Sequence, residues 1–210
     1  VETFLCKKIR QEALRGGEGP RMNPDQPNLF PTTIVPYGVL YKTRCYLVGH
    51  MEYANGRDWR EQVEKGLNKK GIITFNPYKK PFIKDVGEGE DFRRHLKEQM
   101  ACGNFDEVQE KMRQIRIYDL NLVDRSDFIV AHIIPSVASW GSAEELVTAV
   151  RMKKPTFISI EGGKKMTPLW LLGMFPHKYF YNSVNDILKM IDDIDSGRKE
   201  IDSDRWRLLK

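Results

Sequence analysis

From Arg44 onward, short apolar runs alternate with stretches whose apolar residues recur at helical spacing. The run 45–48, closed by Gly49, predicts a first strand. Residues 58–67 predict a helix capped by Asp58, with Asp58-x-x-Glu61 resembling a capping box. Residues 72–75, stopped by Asn76-Pro77, predict a second strand. A helix is expected over 106–124 and a third strand over 128–134, closed by Pro135. Ser142 opens a further helix, in which Ala143, Leu146, Val147 and Val150 fall on one face. Lys153-Lys154-Pro155 ends it, and 156–160 predict strand four. A short helix over 168–174, a fifth strand over 179–181 and an amphipathic helix over 184–194 complete the pattern.

Two segments break this rhythm. Residues 1–40 are rich in Gly and Pro, without a sustained period, and read as an N-terminal arm with a short helix over 3–14. Phe30, Ile34 and Val35 suggest that part of it docks on the body or on a neighbour. Residues 78–104 form a charged insertion of undefined structure. The expected organisation is therefore an arm over 1–40, a body over 41–195 and a tail over 196–210. Trp206 and Leu208-Leu209 point to contact rather than disorder in the tail. No internal repeat is evident.

Strand–helix alternation implies right-handed crossovers and a parallel sheet with helices on both faces. Five strands in so short a chain predict a flavodoxin-like three-layer α/β sandwich of order 2-1-3-4-5. Ligands of such sheets bind at the carboxyl ends of the strands, where the order reverses. The loops after Val48 and Ile134 should then face each other across a crevice.

Composition narrows the function classes. Of 210 residues, 40% are hydrophobic and 30% charged, an ordinary soluble balance. The apolar runs are too short to span a bilayer, and no secretory leader is read at the start. Three cysteines, without metal-like spacing, suit a reducing cytoplasm. The net charge of +5 is compatible with nucleic acid. The basic residues are nonetheless scattered among acidic ones, so nucleic acid is not the expected partner. The same excess suits a site for small anionic nucleotides.

Candidate chemistry gathers at the expected crevice. In the second loop, Gly141 can bring backbone close to a ligand and Ser142 can cap the helix. Glu145 then falls at the third helical position. Ser142-x-x-Glu145 reads equally as a capping box. A carboxylate in a first helical turn is stabilised as the anion and available as a nucleophile. Glycoside chemistry needs a carboxylate that attacks or stabilises an oxocarbenium-like carbon. In the first loop, Gly49 leaves room for a ligand, and Met51, Tyr53 and Trp59 can flank a planar base. Arg60 can meet an anionic group. A surface loop with a buried Trp59 explains the same residues. His50 can bind substrate, move protons or merely pack. Asp127 reads as a strand-entry residue. Asp119 places an acid on an otherwise apolar helical side, which calls for an ion pair or a functional role.

The segments YLVGHMEYANGRDWREQVEKGL, ITFNPY, IYDLNLVDRSDFIVAHI and SWGSAEELVTAVRMKKPTFISI resemble the successive motifs of the nucleoside 2-deoxyribosyltransferase-like family. The resemblance spans about 44–160. It implies that Glu145 is the catalytic nucleophile, that Asp119 is the acid near the sugar, and that Asp58, Trp59 and Arg60 open the helix after strand one at the substrate. It implies base exchange through a covalent glycosyl-enzyme, or nucleotide hydrolysis, with no metal or organic cofactor and often a dimer or larger homo-oligomer. Two departures stand out. The family's Gly-Pro is Gly49-His50 here, and the acid that handles the proton on the base is replaced by Ser139. Ser136, Ser139 and Arg60 can instead hold a 5′-phosphate. A non-catalytic nucleotide-binding module and an assembly protein reusing the fold are the alternative readings.

Overall fold

A computed structural model describes residues 37–51, 55–79, 90–200 and 205. The sequence readings for the arm up to residue 36, Tyr53, the stretch 80–89, Trp206 and Leu208-Leu209 fall outside the described residues. The elements run β1 (Arg44–Gly49), α1 (Asn55–Asn68), β2 (Ile73–Phe75), α2 (Glu90–Ala101), α3 (Phe105–Arg125), β3 (Phe128–Ile133), α4 (Trp140–Arg151), β4 (Thr156–Ile160), α5 (Leu169–Met174), β5 (Phe180–Tyr181) and α6 (Val184–Asp195). The sheet is parallel throughout and ordered β2-β1-β3-β4-β5, the flavodoxin-like order expected from the alternation.

Side chains of the central strands alternate between two cores, one on each face of the sheet. Cys45, Leu47, Phe128, Val130 and Phe157 pack under α1 and α6, against Val63, Leu67, Ile187 and Ile191. Tyr46, Val48, Ile129, Ala131, Ile158 and Ile160 pack under α3 and α4, against Leu122, Val123, Leu146 and Ala149. The β1–β3 register pairs Tyr46 with Ile129 and Gly49 with His132, so both strands end level at the crevice. Asp127 fixes the other end of that pair. Its Oδ2 accepts the Arg44 backbone N–H at 2.7 Å, and its Oδ1 meets the Arg44 guanidinium at 3.1 Å. The strand-entry reading of Asp127 holds.

Two helix starts differ from expectation. α1 begins at Asn55, so Asp58 lies within the first turn rather than at the cap. The reason lies one turn on: Arg60 Nη1 donates to the Gly56 carbonyl at 2.7 Å and draws the chain into the helix early. α4 begins at Trp140 with Ser139, not Ser142, as its N-cap. A turn closed by Val137 N–H on the Ile134 carbonyl leaves Ser139 extended. Its Oγ accepts the Ser142 N–H at 3.4 Å and donates to Ser142 Oγ at 2.9 Å. Glu145 therefore lies in the second turn, and the Ser142-x-x-Glu145 box does not form. The insertion over 78–104 contains α2, whose sparse apolar face, with Leu96 buried, gave a weak periodic signal.

A buried guanidinium holds the loop that leaves β1. Arg60 is fully buried. Its Nη2 donates to the Gly49 carbonyl at 2.7 Å and its Nη1 to the His50 carbonyl at 3.1 Å. The group also lies 4.5 Å from the Trp59 ring centre, and burial lowers its pKa to about 10. Gly49 is required beside it. A Cβ at Gly49 would stand 2.8 Å from the His132 carbonyl and 2.9 Å from Trp59.

Residues ahead of β1 are stitched to α6. Val39 N–H donates to the Asp195 carbonyl and Leu40 N–H to Asp195 Oδ1, both at 2.9 Å. A Cβ at Gly38 would collide with that carboxylate.

Arg60→Met leaves several buried carbonyls without donors and is expected to lower stability by about 3 kcal/mol or more. Arg60→Lys should recover little, because one ammonium cannot span carbonyls on three sides. Asp195→Ala should cost about 1–3 kcal/mol through the orphaned Leu40 N–H. Gly38→Ala should destabilise the native chain and do so less in the Asp195→Ala background. Shifts of the urea midpoint at constant m check the four single variants and the double one.

Candidate active site

The loops after β1 and β3 meet at the carboxyl end of the sheet, as the strand order requires. They enclose a cleft of 110 Å³ whose walls include His50, His132, Ser139, Ser142, Leu146 and Leu171. This volume is below the roughly 300–1,000 Å³ of a whole small-ligand pocket. It can take one edge of a planar ligand, with the rest outside. Its lining combines two imidazoles and two serines with apolar side chains such as Ile133, Val137, Leu146 and Leu171.

Glu145 is buried and lies between two residues of the cleft wall, Ser142 one turn before it and Leu146 next to it. It is not itself among the lining side chains. The expectation that it stands at the crevice mouth is corrected in that respect: it faces the sheet, where Tyr46 Oη donates to its Oε1 at 2.7 Å. Burial first, then the charges of Glu145 and Asp119, push the Tyr46 phenol well above its ordinary pKa, against an opposing effect of Arg60. Tyr46 thus remains a protonated donor to Glu145 across the neutral range. The same charges act on Arg60, so Asp119, Glu145, Tyr46 and Arg60 form one electrostatic neighbourhood. Asp119 is half-buried on α3 beside it.

On the opposite face of the sheet, His132, next to last in β3, lies level with Gly49. Its Nδ1 lies 2.9 Å from Ser159 Oγ on β4, and its Nε2 lies 3.3 Å from Glu161 Oε2. Trp59 flanks it at 5.6 Å between ring centres. Burial lowers the His132 pKa; Glu161 raises it, while His50 and Arg60 lower it further.

Several expected ligand-binding residues have other tasks. Arg60 spends its donors on backbone carbonyls and has no surface to offer a phosphate. Trp59 is buried in the core under α1, so of the two readings of that residue the packing one holds. The space beside Gly49 is filled by Trp59, Arg60 and the His132 carbonyl rather than left for a ligand. Asp58 is exposed on α1, Ser136 on the second loop and Gly141 in the first turn of α4. Nothing stands within 4 Å of where a Gly141 Cβ would be, so backbone at that point is open to a ligand. The Met51 carbonyl accepts from Tyr78 Oη at 3.0 Å. His50, Ser139 and Ser142 reach the cleft.

Tyr46 and His132 were missed in the sequence, although each carried a signal. Tyr46 is the one hydroxyl in a buried apolar strand. His132 is an imidazole inside the apolar run of β3, close to the carboxyl end where a parallel sheet presents its ligands.

Among the described residues, no group of three His, Cys, Asp or Glu is placed to hold a metal ion, and no helix is long and apolar enough to cross a membrane. No protein-family model and no curated protein matches the chain. Solved structures similar to it include a 2-deoxyribosyltransferase from Bacillus psychrosaccharolyticus, at 15% identity and TM-score 0.48, covering 70% of this chain and 90% of that one. A CMP N-glycosidase from Clostridium botulinum is similar at 16% identity and TM-score 0.41, covering 71% and 98%. A conserved protein from Enterococcus faecalis V583 is similar at 17% identity and TM-score 0.42, covering 72% and 98%.

Proposed function

We propose that this chain cleaves or exchanges the N-glycosidic bond of a nucleoside or nucleotide, with Glu145 as the nucleophile. The observation that carries the reading is the Tyr46–Glu145 pair: a buried carboxylate beside the cleft, held at 2.7 Å by a phenol that stays protonated. The order of the sequence motifs supports the same chemistry. A carboxylate fixed by one oxygen has its other oxygen oriented, which is the geometry a glycosyl nucleophile needs. In this reading Oε2 attacks the anomeric carbon, the base leaves with the bonding electron pair, and a glycosyl ester forms. Water or a second base then displaces Glu145. Asp119 positions the sugar or the nucleophile from α3. No cofactor takes part, and the expected setting is the cytoplasm.

Trp140, Leu169 and Trp170 are more than four-fifths exposed, and each adjoins a residue or segment of the cleft wall, Ser139 or Leu171. Exposed aromatic surface of this kind marks an interface. In this reading a second copy of the chain covers it and extends the shallow cleft.

Incubation with a panel of nucleosides and nucleoside monophosphates should release free base, and Glu145→Gln should abolish that release with the fold intact. Unchanged release in Glu145→Gln would refute the assigned nucleophile. Tyr46→Phe should slow release by about tenfold to a hundredfold, the value of one charge-assisted hydrogen bond of roughly 1.5–3 kcal/mol. Light scattering should give a mass above the 24.5 kDa of one chain. Trp140→Glu should lower that mass if this surface is the contact.

A further inference from the structure

We propose that His132 is the group that delivers a proton to the departing base, in place of the acid that Ser139 lacks. The inference rests on the glycosidic reading above and assigns to it a residue that neither the motifs nor the cap of α4 supplies. Ser139 cannot serve, because its hydroxyl is committed to the cap and to Ser142.

The neighbours of the two ring nitrogens differ. Ser159 Oγ donates to the Ala131 carbonyl at 3.2 Å, so toward His132 it acts as acceptor. In the tautomer this proposal requires, Nδ1 carries a proton in both charge states and is anchored to Ser159 on β4. The proton that comes and goes is on Nε2, 3.3 Å from Glu161 Oε2. Glu161 is exposed, whereas His132 lines the cleft. The imidazole thus has one nitrogen on Ser159 and the other beside a carboxylate that, in this proposal, reloads the proton.

The step balances as follows. As the C1′–N bond breaks, its electron pair passes to the base, Nε2–H moves to the base, and Glu145 oxygen bonds to C1′. The base leaves neutral and His132 is left neutral. When water attacks C1′, the Glu145–C1′ bond breaks and the water proton returns to Nε2. In base exchange the incoming base supplies that proton instead.

The groups facing His132 are Glu161 from the loop after β4, His50 from the loop after β1, and Arg60 from α1. Burial and the two basic neighbours hold its pKa below the ordinary 6.5, against Glu161. A general acid works in its protonated form. In this protein kcat/KM for base release should therefore be highest on the acid side and fall as pH rises through a midpoint below 6.5. Glu161→Gln removes the group that raises the midpoint, so the limb should move to lower pH.

The deciding experiment compares two leaving groups. Nucleosides need a proton on the base; 4-nitrophenyl ribosides and deoxyribosides do not, because nitrophenolate leaves as the anion. His132→Gln should lower base release by about 100-fold or more, the usual contribution of general acid catalysis, and abolish the alkaline limb. Nitrophenol release should change little. Equal losses on both substrates, or unchanged base release, would overturn the proposal while leaving Glu145 in place. If His132→Gln does not fold, the limb of the native enzyme and its displacement in Glu161→Gln decide, and a limb that does not move overturns it. Release of neither base nor nitrophenol by the native chain would overturn the glycosidic reading, and this inference with it.

Discussion

The site depends on a cation that never reaches it. Arg60 brings a guanidinium under the loop that leaves β1, and that group is satisfied by backbone carbonyls at Gly49, His50 and Gly56. A buried charge is tolerated only where its donors are met, and here the oxygens that meet them belong to the very loop that must be shaped. The same contact starts α1 early, presses Trp59 into the core and excludes any side chain at Gly49. His50 and His132 then face one space because the backbone beneath them is pinned. The motif containing Arg60 is in this sense architectural. It fixes the loop that forms one wall of the cleft, through His50.

The layers, the strand order and the place of the crevice were legible in the sequence, because each follows from period and punctuation. Alternation of 2.0 and 3.6 periods gave the five strands, and Pro135, Pro155 and Gly49 marked their ends. The helix starts were not legible. Asp58 and Ser142 both had the right chemistry for a cap, yet tertiary contacts chose Asn55 and Trp140 as the first helical residues. For α4 the choice lay between two serines three positions apart, and a turn after Ile134 decided it. That shift moved Glu145 into the second turn, away from the positive end of the helix dipole. Its neighbours Tyr46, Asp119 and Arg60 now set its electrostatics instead.

Side-chain roles in the first loop were the least legible part. Trp59 and Arg60 are residue types that bind bases and phosphates, and they are also types that fill and brace a core. Local sequence does not separate the two, since the difference is which way the chain turns after Gly49. Tyr46 and His132 pose the converse problem. Both sit in strands whose apolar neighbours declare a buried sheet, and their importance appears only once strand register is known.

Register also explains how one cleft can draw on both faces of the sheet. Tyr46 and Ile129 are paired and point toward α3 and α4, whereas Gly49 and His132 are paired three positions further on and point toward α1. Because three is odd, the two pairs fall on opposite faces of the pleat. At mid-sheet the strands themselves would separate them. At the carboxyl ends of β1 and β3 the sheet stops, and residues from both faces reach the same space. Tyr46, which holds Glu145 on one face, and His132, beside Ser159 on the other, thereby keep separate partners. A residue inserted into either strand between these positions would reverse the parity and place both groups on one face, so the spacing from Tyr46 to Gly49 is as much a part of the site as the side chains.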